Sequence, residues 1–313
     1  MRAVSWDLVI VGGGPAGLTA GIYGARSGLR TLVLEGLMPG GLVAEAPVIE
    51  NYPGFPGSIS GSELVEKIAG QCEGAGAEIR FPERVLDLDL SDEEKRIKTE
   101  AGAYAASSVI IATGTKQRHL GIPGEQKYNG KGVSYCAMCD GPLYKGRSVA
   151  VVGGGNCAAS DALFLSNLAS SVKLIHRRSA LRAESALIEE MRRSGVEFIL
   201  ETEVSEIRGD DVIRSVTLRN RRTGASTEME VDGVFVGVGR VPNTEVAGRA
   251  GIELDDAGFI VVDAHQRTNI PGVYAAGDVT ARPHKQIGTA VGEAIVASAE
   301  AFGYVRRPYF YRG

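Results

Sequence analysis

The chain has few of the residues from which metal sites are built. Its 313 residues include only four cysteines and four histidines, whereas a structural zinc site takes about four such ligands at short, regular spacings. Cys136 and Cys139 are separated by two residues, and the other cysteines and the histidines are scattered without ligand spacing. We therefore expect no metal centre.

The sequence also lacks an excess of positive charge and any long apolar run. A formal net charge of -4 leaves no basic face for nucleic acid and no polybasic patch for a membrane surface. No apolar stretch approaches the roughly 18 residues of a transmembrane helix, and no secretory signal pattern precedes the strand predicted at residues 7–11. We expect no nucleic acid and no membrane partner. We expect the protein in the cytoplasm, where a C-x-x-C pair is more often catalytic than structural.

Glycine is what the chain has in excess. It contributes 42 of 313 residues, well above the usual share of about 7%, and many of these glycines cluster in short patterns that are typical of phosphate-binding loops. Hydrophobic residues at 44% and charged residues at 23% are ordinary for a globular protein, and the length fits about two domains. The glycine excess is therefore local and functional.

The cysteine pair Cys136 and Cys139 lies at the predicted start of a turn or helix. Two thiols at this spacing can close a small disulfide, and the first-turn amides of a helix favour the thiolate. The pair therefore predicts a two-electron redox switch, with half of a zinc site or two buried cysteines as the alternatives. Cys72, on a helix predicted at residues 62–75, is expected in the core.

The N-terminal segment is predicted to form a strand, a glycine-rich loop and a helix. A buried strand at residues 7–11 leads into the G-x-G-x-x-G run from Gly12 to Gly17, and a helix follows at residues 18–27. The glycines permit a tight turn, close approach of a pyrophosphate and packing of helix on strand. The next strand ends in Glu35, an acid placed to bind ribose hydroxyls and to repel a 2′-phosphate. The motif predicts a site for an adenine dinucleotide.

Later segments are predicted to return to this first site. Loops at residues 39–42 and 49–55 either place backbone near a flat ligand or are ordinary surface turns. Buried strands that end at residue 114 and at Gly277-Asp278 bring small residues and a carboxylate to the nucleotide, although the carboxylate also suits a helix cap. The last helix opens at about residue 286, where its dipole would stabilise negative charge. The candidate residues of the first site are Gly12, Gly14, Pro15, Ala16, Gly17, Glu35, Gly40, Gly41, Asn51, Ala112, Thr113, Gly114, Gly277, Asp278, Lys285, Gln286 and Ile287.

A second glycine motif lies in the middle of the chain. A strand at residues 148–152 precedes a G-x-G-x-x-A run, and a helix continues to about residue 168. The following strand, at residues 171–176, is followed by arginines rather than ending in an acid, and guanidinium groups suit a 2′-phosphate, which favours NADP(H) over NAD(H). A solvated basic loop is the alternative. Cys157 is expected to be a small buried residue rather than a stabilised thiolate. The candidate residues are Gly153, Gly155, Asn156, Cys157, Ala158, His176, Arg177, Arg178 and Arg182.

The two glycine motifs predict an α/β fold of two Rossmann-like dinucleotide-binding domains, the second inserted in the first. Residues 1–115 and 246–313 form the predicted discontinuous first domain. Residues 116–245 form the predicted inserted domain, which carries Cys136 and Cys139. Two such sites in one protein imply that electrons pass between two cofactors.

Nearly the whole chain resembles the low-molecular-weight thioredoxin reductases. The resemblance rests on Gly12 to Gly17, Gly40-Gly41, residues 50–55, Ala112-Thr113-Gly114, Cys136 to Cys139 with Asp140, Gly153 to Ala158, His176-Arg177-Arg178 and Gly277-Asp278. It implies a homodimeric enzyme that binds FAD in the first domain and NADP(H) in the second, and that reduces thioredoxin or a glutaredoxin-like dithiol protein. It also implies that the dithiol abuts the flavin in one orientation of the inserted domain. In the other orientation the nicotinamide reaches the flavin and the thiols face thioredoxin, and Asp140 protonates a thiolate during exchange.

The chain departs from this family mainly where the reductant would bind. Asn156, Cys157 and Ser160-Asp161 replace residues that the family usually carries, Leu42 replaces a glutamine, and Lys285 replaces an arginine. Our interpretation is an NADPH:thioredoxin oxidoreductase in which FAD and a Cys136–Cys139 disulfide relay the electrons. The same relay fed by a reduced deazaflavin or ferredoxin is one alternative. A flavin-binding redox sensor without turnover is the alternative from another class.

Overall fold

The computed structural model describes residues 4–46 and 48–306. The strands are β1 (Val4–Val11), β2 (Thr31–Leu34), β3 (Glu78–Arg80), β4 (Val85–Asp89), β5 (Lys95–Thr99), β6 (Ala103–Ile111), β7 (Thr115–Gln117), β8 (Val133–Ser134), β9 (Ser148–Gly153), β10 (Ser171–Ile175), β11 (Glu197–Ile199), β12 (Thr202–Gly209), β13 (Ile213–Asn220), β14 (Ser226–Glu230), β15 (Gly233–Gly237), β16 (Arg240–Pro242) and β17 (Val273–Ala275). The α-helices are α1 (Pro15–Arg26), α2 (Gly61–Gly74), α3 (Ala137–Asp140), α4 (Asn156–Ser166), α5 (Ser185–Arg193), α6 (Glu245–Arg249) and α7 (Ile287–Arg306). Short 3-10 helices span Gly41–Glu45 and Gly141–Tyr144.

One compact unit comprises the described residues within Met1–Lys116 and Val241–Gly313. Its sheet has the strand order β3-β2-β1-β6-β5-β4. Strands β1, β2, β3, β6 and β17 run parallel, with β17 beside the end of β6. Strand β5 pairs antiparallel with both β6 and β4. Parallel neighbours need long crossover connections, and α1 and α2 supply them between β1, β2 and β3.

The central strand β1 is buried on both faces. Leu8 and Ile10 contribute to the core that includes α1 and α7, whereas Val9 and Val11 contribute to a separate core. Successive side chains of a strand point to opposite faces, so a continuous apolar run suits a strand that is covered on both sides. This burial fixes the carboxyl end of β1, where the first glycine loop begins.

The second unit is Gln117–Arg240. Its parallel sheet has the order β11-β10-β9-β15-β8, and β12, β13 and β14 form a separate antiparallel sheet. Val149 and Val151 of β9 share a core with α4, whereas Ala150 and Val152 share a core with residues of the antiparallel sheet. Strand, glycine loop and helix therefore occur in this unit as in the first. The predicted α/β class with two Rossmann-like arrangements is confirmed.

The chain passes between the units at β7 and β16, which pair with each other. The unit boundaries fall after Lys116 and after Arg240. Residues 1–3, 47 and 307–313 of the predicted first domain lie outside the described residues. The cofactor assigned to each domain stays a prediction.

The last strand of the first unit is shorter than the sequence predicts. Strand β17 ends at Ala275, because the chain turns at Gly277, where φ is +81°. The hairpin arm predicted at residues 259–262 forms only isolated bridges, from Ile260 to Leu254 and to Thr280. The first difference places Asp278 on a turn rather than on a strand.

Across residues 4–46 and 48–306, no helix combines the length and the apolarity that a membrane crossing needs. In the same ranges, no group of three or more histidine, cysteine, aspartate or glutamate side chains is arranged to hold a metal ion.

Candidate active site

Cys136 and Cys139 form a disulfide at the start of α3. Their Cα atoms are 5.3 Å apart. Cys136 is the N-cap residue of the helix, and the backbone amide of Cys139 donates a hydrogen bond of 3.2 Å to Cys136 Sγ. Cys139 is exposed, whereas Cys136 is half-buried. The predicted disulfide is confirmed, and Cys139 is the more accessible of its two residues.

Asp140, the last residue of α3, is held by a hydroxyl group that no sequence pattern indicates. Ser134 Oγ, on β8, donates a hydrogen bond of 2.6 Å to Asp140 Oδ2. Ser134 Oγ also accepts a hydrogen bond of 3.1 Å from Cys136 N. Ser134 therefore connects the carboxylate to the backbone of the first cysteine. These two hydrogen bonds fix the carboxylate to the backbone of the segment that carries the disulfide. The role of Asp140 as the acid stays a prediction.

A second polar cluster fixes the residue that precedes Cys136. Tyr135 Oη donates to Oε1 of the buried Glu125 at 2.8 Å, and His119 Nδ1 lies 2.9 Å from the same hydroxyl. Glu125 also accepts the two backbone amides at residues 120 and 121, each at 2.8 Å. Burial and then the Glu125 carboxylate raise the pKa of Tyr135 far above its ordinary value, so the phenol stays protonated. The cluster anchors the segment that leads into the disulfide.

The two free cysteines lie in opposite environments. Cys72 is fully buried, as predicted, and burial raises the pKa of its thiol to about 12. Cys157 lies in the first turn of α4 and is exposed, so the prediction that it is buried is wrong. The neighbouring Ala158 is the residue that faces the sheet, and a Cβ on Gly153 would lie 2.6 Å from the Ala158 Cβ.

We expect the oxidised native protein to show one reactive thiol, from Cys157, when it is titrated with an aromatic disulfide reagent at about pH 8. The thiolate is the reacting species, and Cys72, with a pKa of about 12, stays protonated and buried. Denaturation should raise the count to two, and reduction followed by denaturation to four. In a Cys157→Ser control the native count should fall to zero. Two rapidly reacting thiols in the oxidised native protein would contradict this assignment.

The first glycine loop has no room for side chains at two of its positions. Gly12 has a φ of +110°, and a Cβ there would overlap the carbonyl oxygen of Ala112. A Cβ on Gly17 would overlap the carbonyl oxygen of Gly12. By contrast, Gly14 borders open space, and it caps α1 without a side-chain hydrogen bond. No capping side chain therefore accepts hydrogen bonds from the first-turn amides of α1, and these amides can donate to a pyrophosphate.

Glu35 closes this loop. Its Oε2 accepts Gly13 N at 2.7 Å, and its Oε1 accepts Leu37 N at 3.0 Å. Gly40 N donates to Gly13 O at 2.8 Å, which brings the predicted Gly40-Gly41 turn against the loop. A carboxylate has about four acceptor sites, so Glu35 keeps acceptor capacity for ribose hydroxyls.

The side chains of Asn243 and Glu293 fix two other segments of this site, at Thr113 and at Gly277. Asn243 Nδ2 donates to Thr113 O at 2.8 Å, and Thr113 Oγ1 donates to Asn243 O at 2.7 Å. Glu293 of α7 accepts Gly277 N at 2.8 Å, at the turn that precedes Asp278, and burial raises the pKa of Glu293. Sequence reasoning missed Asn243 and Glu293, because neither belongs to a motif.

The remaining predicted residues of the first site lie around the start of α7. Asn51 Nδ2 donates to Gln286 Oε1 at 3.5 Å. Lys285 Nζ donates to a backbone carbonyl and lies 4.6 Å from the centre of the Phe259 ring. Ile287 is the first residue of α7. The structure therefore brings the loop at residues 49–55 to the amino end of the last helix.

Other predicted residues of the first site meet where α1 begins. Pro15 opens the helix, and a Cβ on Gly277 would lie 2.8 Å from the Ala16 Cβ. A Cβ on Gly41 would lie 3.7 Å from the Gly14 Cα. The segments predicted to form the first site therefore come together there. Gly114 O accepts a hydrogen bond of 3.0 Å from the backbone amide at position 243.

The second glycine loop packs in the same way. A Cβ on Gly153 would overlap the carbonyl oxygen of Gly237, so β9 and β15 approach too closely for a larger residue. Gly155 borders open space and caps α4 without a side-chain hydrogen bond. The first-turn amides of α4 are therefore placed as those of α1 are, which suits a diphosphate.

His176 lies against this loop and is buried, unlike the arginines that follow it. It is 6% exposed, and a Cβ on Gly154 would overlap its Nδ1. Burial, followed by the charges of Arg178 and Arg182, lowers the pKa of His176, so the imidazole is neutral. A buried neutral ring supports the loop but brings no positive charge to a phosphate.

Arg177, Arg178 and Arg182 follow β10 and are exposed. In the part of the chain that the structure describes, none of their guanidinium groups takes part in an ion pair. The backbone amide of Arg182 donates to Gly154 O at 2.7 Å, which brings the arginine segment to the glycine loop. Exposed, uncompensated guanidinium groups beside such a loop suit a bound anion.

Asp161, one of the departures from the family pattern, lies on α4. Burial raises the pKa of its carboxyl to about 6, and the nearby Arg240 opposes this rise. The folded protein therefore disfavours the ionised carboxylate. Because this pKa is about 6, the charge of α4, the helix that begins at the second glycine loop, changes near neutral pH.

We expect Asp161→Asn to raise the free energy of unfolding above pH 7 by about 3 kcal/mol, because one pKa unit corresponds to about 1.4 kcal/mol. The folded pKa is about 6 and the ordinary value is 3.8. Asp161 therefore contributes its full stability below the ordinary value and loses it as pH rises through about 6. Urea unfolding at about pH 4 and about pH 8 measures the change. Ser160→Ala, at the exposed neighbouring position, is the control. If the free energy of unfolding depends on pH in the same way in wild type and in Asp161→Asn, the assignment is refuted.

The comparisons with known proteins agree over almost the whole chain. Residues 6–301 match the family described as pyridine nucleotide-disulphide oxidoreductase. A thioredoxin reductase of Treponema pallidum (strain Nichols) is 41% identical over 301 residues, which cover 96% of this chain and 97% of that protein. A thioredoxin reductase of Streptomyces coelicolor is 40% identical over 299 residues, which cover 94% of this chain and 92% of that protein.

Solved structures show the same similarity. The thioredoxin reductase from Streptococcus pyogenes MGAS5005 superposes with a TM-score of 0.92 at 39% identity, covering 98% of this chain and 100% of that one. The thioredoxin reductase from Giardia duodenalis superposes with a TM-score of 0.93 at 35% identity, covering 97% and 99%. The resemblance found in the motifs is confirmed. The chain belongs to the pyridine nucleotide-disulphide oxidoreductase family, and thioredoxin reductases are among its relatives there.

Proposed function

We propose that this protein is a thioredoxin reductase that passes electrons from NADPH through FAD to the Cys136–Cys139 disulfide, and from there to thioredoxin or a glutaredoxin-like dithiol protein. The observation that carries the proposal is the disulfide itself, formed by the N-cap residue of α3 and an exposed partner. The names of the relatives support the substrate. Two glycine loops with open helix starts support two nucleotide cofactors.

The residues of the first site fit FAD. The amides at the start of α1 have no side-chain acceptor and lie beside Gly14, where a Cβ would meet nothing within 4 Å. They would hold the pyrophosphate, Glu35 would bind ribose hydroxyls, and Asp278 would bind a ribityl hydroxyl. The start of α7 would stabilise negative charge on the isoalloxazine ring. When bound, FAD supplies the step between hydride transfer and disulfide reduction.

The second site fits NADPH. Gly155 leaves the start of α4 open, and the amides there would hold the diphosphate. The exposed Arg177, Arg178 and Arg182 would bind the 2′-phosphate. The departures at Cys157 and Asp161 lie on the same helix, so they would weaken affinity or alignment more than selectivity for the 2′-phosphate.

The chain's own residues account for the thiol chemistry. Reduction of the disulfide adds two electrons and two protons and breaks the S–S bond. The amide of Cys139, which donates to Cys136 Sγ, would stabilise a thiolate on that sulfur. One thiolate attacks the partner's disulfide and forms a mixed disulfide, which the second cysteine resolves. The partner leaves as a dithiol, the Cys136–Cys139 bond forms again, and Asp140 supplies a proton to the departing thiolate.

A homodimer in the cytoplasm completes the proposal. The dimer rests on the family resemblance. The location rests on the use of a C-x-x-C pair for catalysis, since the cytoplasm keeps such thiols reducible.

The flavin and its reductant can be tested on one preparation. We expect the purified protein to be yellow and to release FAD, not FMN, on heating, because the first loop and Glu35 suit an adenine dinucleotide. Anaerobic titration should bleach the flavin with NADPH at least about tenfold more effectively than with NADH, since each contact to the 2′-phosphate is charge-assisted. Release of FMN would refute the assignment of the first site. If neither nucleotide bleaches the flavin at millimolar concentration and a reduced deazaflavin or ferredoxin does, that compound and not NADPH is the donor.

A further inference from the structure

Asn156 and Glu184 connect the second glycine loop to the segment that carries the arginines. Asn156 Nδ2 donates to Glu184 Oε1 at 2.8 Å, and Glu184 N donates to Asn156 Oδ1 at 2.9 Å. A third hydrogen bond, of 2.7 Å, joins Arg182 N to Gly154 O. We call these three hydrogen bonds the loop bracket. It joins residues 154–156 to residues 182–184.

The arginine segment, residues 177–182, is held at both ends. At its start, the backbone amide of Glu201 donates to Arg178 O at 3.1 Å. At its end, Glu184 is the N-cap residue of α5, and the loop bracket fixes that cap to α4. The backbone of the segment is thus fixed on two sides while its guanidinium groups remain exposed.

The loop bracket also occupies the carboxylate of Glu184. This acid lies two residues from Arg182 in the sequence, so it is an obvious competitor for the positive charges that a phosphate would need. Its Oε1 instead accepts the amide of Asn156. Among the described residues, no ion pair joins Glu184 to an arginine of the segment. The guanidinium groups of the segment therefore stay unpaired with this acid.

We infer that Asn156 and Glu184 are positioning residues for a nucleotide 2′-phosphate. They act by fixing the arginine segment against the glycine loop and by occupying the Glu184 carboxylate. This inference rests on the proposed use of NADPH. A site whose charged groups are already held in place loses less conformational freedom on binding, so opening the bracket should weaken contacts to the 2′-phosphate selectively.

The test uses the flavin-loaded protein and two small probes, 2′,5′-ADP (adenosine 2′,5′-bisphosphate) and 5′-AMP, which differ only in the 2′-phosphate. Calorimetric titration should show that Asn156→Ala and Glu184→Ala each weaken binding of 2′,5′-ADP about five- to tenfold, as expected for loss of one or two hydrogen bonds. Binding of 5′-AMP should change less than about twofold, because it has no 2′-phosphate and the helix amides that would face its 5′-phosphate remain.

Glu184→Gln is the matched control. The glutamine Oε1 accepts the same hydrogen bond from Asn156 Nδ2, so this variant should bind 2′,5′-ADP at least as tightly as wild type. Flavin content and thermal unfolding temperature report whether each variant folds. If Asn156→Ala does not fold, Asn156→Asp opens the bracket by charge repulsion. The double change Asn156→Asp with Glu184→Gln then restores the side-chain hydrogen bond with donor and acceptor exchanged, and the backbone amide of residue 184 still donates to the residue at position 156.

The outcomes separate this inference from the proposed function. If wild type binds the two probes equally, the assignment of the arginines to a 2′-phosphate fails, and the inference fails with it. If wild type prefers 2′,5′-ADP and the alanine variants keep the full preference, only the inference fails. Equal losses for both probes would also overturn it, since the bracket would then serve the diphosphate loop. So would a Glu184→Gln variant as weak as Glu184→Ala.

Discussion

Replacing Cys136 or Cys139 with serine is expected to reduce turnover of thioredoxin by about a thousandfold or more, because a hydroxyl cannot replace the thiol in disulfide exchange. Reduction of the flavin by its donor should continue, since the disulfide acts after the flavin in the proposed sequence of electron transfer. The two residues form one disulfide, so either single change removes the whole relay. The double variant should lose no more than either single one.

Two measurements on the same variants separate these steps. Anaerobic stopped-flow absorbance follows bleaching of the flavin, and a coupled assay with thioredoxin and a disulfide substrate follows turnover. Cys157→Ser is the matched control, because this exposed thiol lies outside the disulfide, and we expect it to be nearly silent in turnover. Turnover that survives both single changes would refute the relay. A large loss in Cys157→Ser would instead implicate that thiol.

Replacing Arg177 and Arg178 together with alanine is expected to raise the KM for NADPH by about 10- to 100-fold per residue, because a hydrogen bond to a charged group contributes about 1.5 to 3 kcal/mol. The KM for NADH should change little, since NADH has no 2′-phosphate. Both guanidinium groups are exposed beside the second glycine loop, so their loss should leave the fold intact.

The control for this experiment is an exposed arginine of the same unit. Arg193 on α5 lies 3.8 Å from Glu189 and 3.5 Å from Glu190, and Arg193→Ala should leave both KM values unchanged. Steady-state rates with NADPH and NADH across a range of concentrations give the comparison. If NADH supports wild-type turnover as well as NADPH does, the arginines have another function. The same conclusion follows if the double variant keeps the wild-type preference.

Some parts of the site could be predicted from the sequence because their causes are local. Gly12 and Gly17 are required where any Cβ would overlap a carbonyl oxygen of the adjoining backbone, so only one residue type serves and the pattern is visible. Cys136 and Cys139 are three positions apart, so their pairing depends mainly on the first turn of a short helix. Burial of β1 on both faces is likewise visible as a continuous apolar run.

Other parts depend on which segments meet in space. Asn243 and Thr113 are 130 positions apart, and Asn156 and Glu184 are 28 positions apart. Many polar residues can make hydrogen bonds of this kind, so neither pair forms a recognisable pattern. Ser134 lies close to Asp140 in the sequence, but only the course of β8 into α3 brings its hydroxyl to the carboxylate.

The sequence by itself determined the two glycine loops, the acid at Glu35 and the cysteine pair, because steric exclusion and short chain separation leave few residue types that can fill those positions. Only the tertiary structure decided that Cys157 is exposed and that His176 is buried. Each lies at the end of an element, where one residue more or less turns a side chain from the core to solvent. Periodicity does not resolve such positions, because burial there depends on what packs against them from distant parts of the chain.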